Sequence, residues 1–184
     1  MFLDNSLTFN TAVNSSQAIS ATAASTSIID VTGAGSGNTP AMINGFPNLN
    51  TAMGVDYGVG DGMAIPYVVV VVTSATTVTG TLTIALQSAP DNGSYSPGTY
   101  TTIYTSAALT GATQLYAGAV YYFQVPPSLI GNGEALPRFY RLNYTVGPSI
   151  SVSVNAFMTL NPPSFAGGKA SLLGGQYNSN FYAG

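Results

Sequence analysis

Five consecutive valines, Val68 to Val72, constrain the fold of this chain more than any other stretch. β-branched side chains lose rotamer freedom in a helix and fit a pleated sheet, and the run is far too short to span a bilayer, so it predicts a strand. Successive side chains on a strand point to opposite faces of the sheet, and here both faces are apolar. We therefore expect both faces to be covered, one by the core and the other by another layer of the same chain or by another protein.

Alternation of apolar and polar residues predicts the other strands. The pattern is clearest from Ile150 to Leu160, where every second residue is apolar. From Arg138 to Val146 it places Tyr140, Leu142 and Tyr144 on one face and Phe139, Arg141 and Asn143 on the other. Further strands are predicted around Ile19, around Ile28 to Val31, and over Thr81 to Gln87, Tyr100 to Thr105 and Leu115 to Val125. Pro90-Asp91-Asn92-Gly93 predicts a tight turn, because Asn-Gly readily adopts a positive φ.

About eight or nine strands, without a helical period or a βαβ rhythm, predict an all-β fold, and we expect a jelly-roll β-sandwich. An immunoglobulin-like sandwich is the alternative, although the chain lacks the Cys and Trp core of the antibody type. We expect one domain over residues 17–160 with an inserted loop at 33–54 that is rich in Gly and Pro. Residues 1–16 and 161–184, in which large apolar residues punctuate polar segments, are expected to form extended arms.

The surface predicted for this chain is neutral and polar. Charged residues make up 5% of the sequence, against roughly 25% in an ordinary soluble domain. A free monomer generally needs charge for colloidal stability, so this composition favours a protein that works inside an assembly.

Several classes of partner and location are disfavoured. The net charge is −3 and only Arg138, Arg141 and Lys169 are basic, so we expect no nucleic-acid partner. No apolar run is long enough to suggest a membrane span, and we expect no membrane partner. Met1 to Asn5 lack the basic and apolar regions of a secretion signal, so we expect folding in the cytoplasm.

The residue types also disfavour catalysis. Without histidine or cysteine, the usual catalytic triads, thiol nucleophiles and zinc sites cannot form. Asp56 and Asp61 lie in a glycine-rich loop, but Gly58 and Gly60 occupy the intervening positions that an EF-hand fills with oxygen ligands. We expect neither an enzyme, nor a metal site, nor a cofactor.

The opening Phe2-Leu3-Asp4-Asn5-Ser6-Leu7 and the segment from Ser16 to Asp30 resemble the start of the Bbp16-type capsid cement proteins of tailed bacteriophages. The likeness continues in the same order through Gly58 to Asp61, Asp91-Asn92 with Ser96-Pro97, Arg138 to Val146, and Val154 to Leu160. It covers most of residues 2–160. Residues 33–54 look like an insertion and the tail after Asn161 is longer than the family pattern, so neither region takes an assignment from the resemblance.

The resemblance implies a jelly-roll protein on the outer surface of the icosahedral head, synthesised in the host cytoplasm. Such proteins are usually homotrimers at three-fold and quasi-three-fold positions, where they tie neighbouring major capsid proteins together. A receptor-binding or carbohydrate-binding jelly roll is the alternative, and Tyr116, Tyr121 and Tyr122 could supply its aromatic platform.

The candidate interface residues come from the arm, the valine strand and the Arg138 to Val146 strand. They are Phe2, Leu3, Leu7, Phe9, Val69, Val71, Phe139 and Arg141. The arm is expected to anchor on a capsid protein or a neighbouring subunit, so deleting residues 2–12 should leave the sandwich folded. Arg141 is expected to be either a solvated side chain or a two-pronged partner for a carboxylate across a subunit boundary.

Overall fold

The structure, a computed structural model, describes residues 7–12, 14–31, 37, 67–125 and 137–159, and these residues form two antiparallel β-sheets. In chain order the elements are β1 (Gln17–Ile19), β2 (Ala23–Ala24), β3 (Ile29–Asp30), β4 (Tyr67–Val78), β5 (Thr81–Ala89), β6 (Thr101–Thr105), β7 (Leu109–Thr110), α1 (Gly111–Gln114), β8 (Val120–Gln124), β9 (Phe139–Val146) and β10 (Ile150–Thr159). Apart from Gly37, the predicted inserted loop at 33–54 lies outside the described residues, and so does the C-terminal tail.

One sheet, the valine sheet, has the strand order β1-β10-β4-β8. The other, the arginine sheet, has the order β2-β9-β5-β6, with β3 also pairing with β9 and β7 with β5. The all-β prediction is therefore confirmed. The strand order fits the predicted jelly roll, whose Greek keys wind across two sheets, and that finer assignment stays a prediction.

The core lies between the two sheets. Val68, Val70 and Val72 of β4 pack into it together with Leu82, Ile84 and Leu86 of β5. The last two strands contribute further core residues, and these alternate along each strand as predicted. The inward residues are Tyr140, Leu142 and Tyr144 of β9 and Ile150, Val152, Val154, Ala156 and Met158 of β10. Burial of these side chains is the main force that holds the sheets together.

Two short connections carry the chain from one sheet to the other, and they pack on each other. The N–H groups of Thr79 and Gly80, between β4 and β5, donate to the carbonyl of Ser149, between β9 and β10. A Cβ atom on Gly80 would lie 1.9 Å from the carbonyl oxygen of Pro148, so this contact requires glycine. The contact fixes the ends of four strands at one corner of the sandwich.

Two local predictions are corrected. The strand predicted from Leu115 begins only at Val120, because α1 and then Gly118 at φ +90° precede it. The turn at Asp91-Asn92-Gly93 exists, with Gly93 at φ +87°, but it opens a longer loop that Asp91 and Pro97 close by an antiparallel bridge.

Candidate interface site

The second face of the valine strand carries its own apolar cluster. This outer cluster consists of Val69, Val120, Tyr122 and Phe157, with Tyr67 and Val71 packed against it. Val69 pairs across the sheet with Tyr122 on one side and Phe157 on the other. In the single chain Val69 is 0% exposed, so at this residue the cover comes from the chain itself.

The outer cluster includes Val69, which was a candidate interface residue. Val69 is completely buried within its own chain, and its interface role stays a prediction. Val71 is half-buried, and its interface role stays a prediction.

Tyr121 and Tyr122 do not form the aromatic platform that the carbohydrate-binding alternative would require. Tyr121 and Tyr122 are consecutive in β8 and point to opposite faces, Tyr121 into the core and Tyr122 into the outer cluster. Burial, with a smaller contribution from Tyr116, raises the pKa of Tyr121 to about 12, and its hydroxyl donates to the carbonyl of Gln114. Both rings are therefore used inside the chain.

The N-terminal segment is attached to β10 on the edge that β1 also occupies, next to the residues that pair with β1. Thr8 forms a bridge with Phe157, and the N–H of Phe9 donates to the carbonyl of Ala156 over 2.8 Å. The Asn10 side chain donates to the carbonyl of Val154 and accepts from the N–H of Ala156. Thr8, Phe9 and Asn10 of the predicted arm thus extend the valine sheet.

Phe9 is fully buried in the core of its own chain, and its predicted role as an anchor on another protein stays a prediction. An isolated phenylalanine in a polar segment has no periodic pattern to place it, which is why the sequence suggested an arm. Leu7 is half-buried and packs against the same core. Phe2 and Leu3 lie outside the described residues, and their anchoring role stays a prediction.

Arg141 lies in the middle of β9, on the face of the arginine sheet that points away from the core. Its Nε donates to Oε1 of Gln87, the residue opposite it in β5, over 2.8 Å. Its guanidinium carbon lies 3.8 Å from the centre of the Tyr100 ring. Arg141 is half-buried, so it is neither freely solvated nor enclosed.

Phe139 also belongs to this outward face, yet it is fully buried. The guanidinium carbon of its neighbour Arg138 lies 4.7 Å from the centre of its ring. The Phe139 side chain is therefore enclosed by its own chain, and its predicted contact with a partner stays a prediction.

Sequence reasoning missed the main electrostatic feature, a buried cluster of Asp30, Arg138 and Asp91. Arg138, which is 7% exposed, donates from Nε and Nη2 to the two carboxylate oxygens of Asp30 over 3.0 and 2.9 Å. Its Nη1 donates to Asp91. The cluster joins β3, the residue before β9, and the loop after β5, so it locks three parts of the chain together.

The pKa values in the cluster follow from these contacts. Burial acts to raise the pKa of Asp91, but the N–H of Gly93, the hydrogen bond and charge of Arg138, and the N–H of Tyr95 together lower it below its ordinary value of 3.8. The hydrogen bond to Asp30 is the largest effect on Arg138 and raises its pKa in spite of burial. Asp91 and Arg138 are therefore both ionised at neutral pH.

Acid should weaken the cluster. Because the folded-state pKa of Asp91 is lowered, its contribution to stability is complete above the unfolded pKa and is lost as the pH falls through the folded pKa. We expect the free energy of unfolding to fall below about pH 4. In Asp91→Asn this fall should be shallower, as measured by urea denaturation at a series of pH values. Equal slopes for the two proteins would contradict this role for Asp91.

The acidic residues in the described part of the chain both belong to the ion cluster. They are Asp30 and Asp91, and both neutralise Arg138. Within the described ranges no three His, Cys, Asp or Glu side chains are grouped so that they could hold a metal ion. The helix found in this part of the chain is a single turn, and none there is long and apolar enough to cross a membrane.

The family model Bbp16 matches residues 13–158 of the chain, which include β1 to β9 in full and all of β10 except Thr159. No curated protein matches the chain.

Proposed function

The chain belongs to the Bbp16 family, and from this premise we propose that it is a capsid cement protein of a tailed bacteriophage. The family match suggests a phage-related structural protein. The finer proposal is that the protein binds the outside of the icosahedral head and ties neighbouring major capsid proteins together. This role is structural and needs neither catalysis nor a cofactor.

The charge distribution supports an assembly role. Three of the charged side chains in the described part of the chain, Asp30, Asp91 and Arg138, neutralise one another internally. What remains on the outward face of the arginine sheet is mainly neutral and polar, including Gln87 and Asn143. Wet, neutral surfaces of this kind suit contacts in which hydrogen bonds and shape provide the recognition.

The resemblance of the sequence to cement proteins adds two finer proposals. The protein is proposed to be a homotrimer, and its seats are proposed to be the three-fold and quasi-three-fold positions of the head. The carbohydrate-binding alternative loses its support, because the tyrosines Tyr121 and Tyr122 that would form its platform are buried.

The decisive experiment uses purified protein and heads of the parent phage assembled without it. We expect the protein to bind these heads saturably and to raise the temperature at which they disrupt, while isolated tails bind none. A reconstruction of the decorated head then shows at which symmetry positions the protein binds. Binding to tails or to glycans without binding to heads would contradict the cement proposal, and monomers at micromolar concentration in light scattering would contradict the trimer.

A further inference from the structure

The outward face of the arginine sheet holds an arginine that is fixed in place but has unused hydrogen-bond donors. Gln87 anchors Arg141 at Nε, and the amide nitrogen of Gln87 in turn donates to the hydroxyl of Thr102 over 3.2 Å. Tyr100 holds the guanidinium plane by stacking at 3.8 Å. Because three side chains position it, Arg141 has already lost much of the rotamer freedom that a flexible arginine would lose on binding.

The terminal nitrogens of Arg141 have no partner among the described residues. Arginine carries five N–H donors, and the hydrogen bond to Gln87 uses the one on Nε. Arg138 provides the contrast, since all three of its nitrogens bind Asp30 or Asp91. Of the two arginines in this part of the chain, Arg138 is used in internal ion pairs. Arg141 presents Nη1 and Nη2 of its guanidinium, which we call the fork, without a partner among the described residues.

Among the described residues of this sheet face, no side chain supplies a negative charge to the fork. Its neighbours on the outward face of β5 and β9 are the neutral residues Thr83, Ala85, Asn143 and Thr145. The positive charge of Arg141 is therefore not neutralised by a side chain of the described face. A planar guanidinium with two free terminal nitrogens is complementary to a carboxylate, which it can bind through two parallel hydrogen bonds.

We propose that this face of the arginine sheet docks on the neighbouring capsid protein, with the Arg141 fork receiving an Asp or Glu side chain of that protein. The inference rests on the proposed cement function and names the chemistry of its partner. A nucleic-acid partner does not fit, because phosphate backbones are bound by clusters of cations and this chain has a net charge of −3.

The test measures the affinity of the purified protein for undecorated heads at two salt concentrations. We expect Arg141→Gln, which removes the charge, to bind at least about tenfold more weakly, and Arg141→Lys, which keeps the charge but not the fork, to fall between. Thr77→Ala is the matched control, since Thr77 is an exposed neutral residue of β4 in the valine sheet, away from the proposed docking face, and its affinity should equal that of the wild type. Wild-type affinity should fall as salt rises, and the fall should be smaller in Arg141→Gln.

The outcomes separate the two proposals. If the wild type does not bind heads, the cement function itself is wrong. If the wild type binds and Arg141→Gln, with an unchanged melting temperature, binds equally well, the fork is not a docking site. If Arg141→Gln changes the oligomeric state but keeps its affinity for heads, the carboxylate belongs to a second copy of this chain and the capsid partner is wrong. Wild-type binding that does not respond to salt also overturns the inference, and that measurement needs no variant.

Discussion

Replacing Arg138 by methionine is expected to lower the free energy of unfolding by roughly 3–5 kcal/mol, because it removes the positive charge that balances the carboxylates of the ion cluster. Asp30 suffers most, since Arg138 binds both of its oxygens and its side chain is only 4% exposed. Asp91 keeps its hydrogen bonds from Gly93 and Tyr95, so part of its stabilisation remains. Urea denaturation followed by far-UV circular dichroism measures the difference.

Arg141→Met is the matched control for this change. Both arginines belong to the β9 region and each contacts an aromatic ring, but Arg141 is half-buried and binds a neutral amide. Its replacement should lower the free energy of unfolding by at most about 1 kcal/mol. If Arg138→Met and Arg141→Met destabilise the protein equally, the buried cluster does not lock the fold.

A triple variant tests the mechanism rather than the size of the effect. In Asp30→Asn, Asp91→Asn, Arg138→Met no charge is left without a partner, so we expect it to recover a large part of the stability that Arg138→Met alone loses. A triple variant as unstable as the sum of its single changes would mean that packing around the Arg138 side chain, and not its charge, is what matters.

The strands and the core could be predicted from the sequence because water and core act on opposite faces of each strand. In β9 and β10 apolar and polar residues therefore alternate along the sequence. Leu142, Tyr144, Val152 and Val154 lie in the core, as this alternation predicts. The same reasoning predicted that both faces of β4 are covered, and Val69 confirms it. The alternation could not show what covers the outer face of β4. A strand has the same apolar sequence whether that face packs against its own chain or against another protein.

The ion cluster could not be predicted, because no local pattern relates its members. Arg138 is 108 residues from Asp30 and 47 residues from Asp91 along the chain, and only the sheet pairing brings them together. The sequence shows two arginines three positions apart, and alternation alone does not say which is enclosed. The available signal was the small number of charges: in a chain this poor in them, a cation at the start of a buried strand requires a carboxylate nearby.

Replacing Phe9 by alanine is the second change with a large expected effect. Phe9 is completely buried in the core that both sheets share, so its truncation should leave a cavity and lower the free energy of unfolding by roughly 3–5 kcal/mol. The polar contacts on either side should persist, since the carbonyl of Phe9 accepts from the N–H of Ser27 and its own N–H donates to Ala156 through the backbone. Thr11→Ala, an exposed position two residues away, is the control and should be neutral within about 0.5 kcal/mol.

This expectation reverses the one drawn from the sequence for a deletion of residues 2–12. Such a deletion removes Thr8, Phe9 and Asn10, and with them the hydrogen bonds to Val154 and Ala156 on the edge of β10. We now expect the truncated protein to melt at a lower temperature, so loss of head binding by this truncation would not identify an anchor. Replacing Phe2 and Leu3 by serine tests the anchor without that confusion, because it keeps Phe9 in the core. If the truncated protein and the wild type have the same melting temperature, the N-terminal segment does not stabilise the fold, and the burial of Phe9 contributes little to stability.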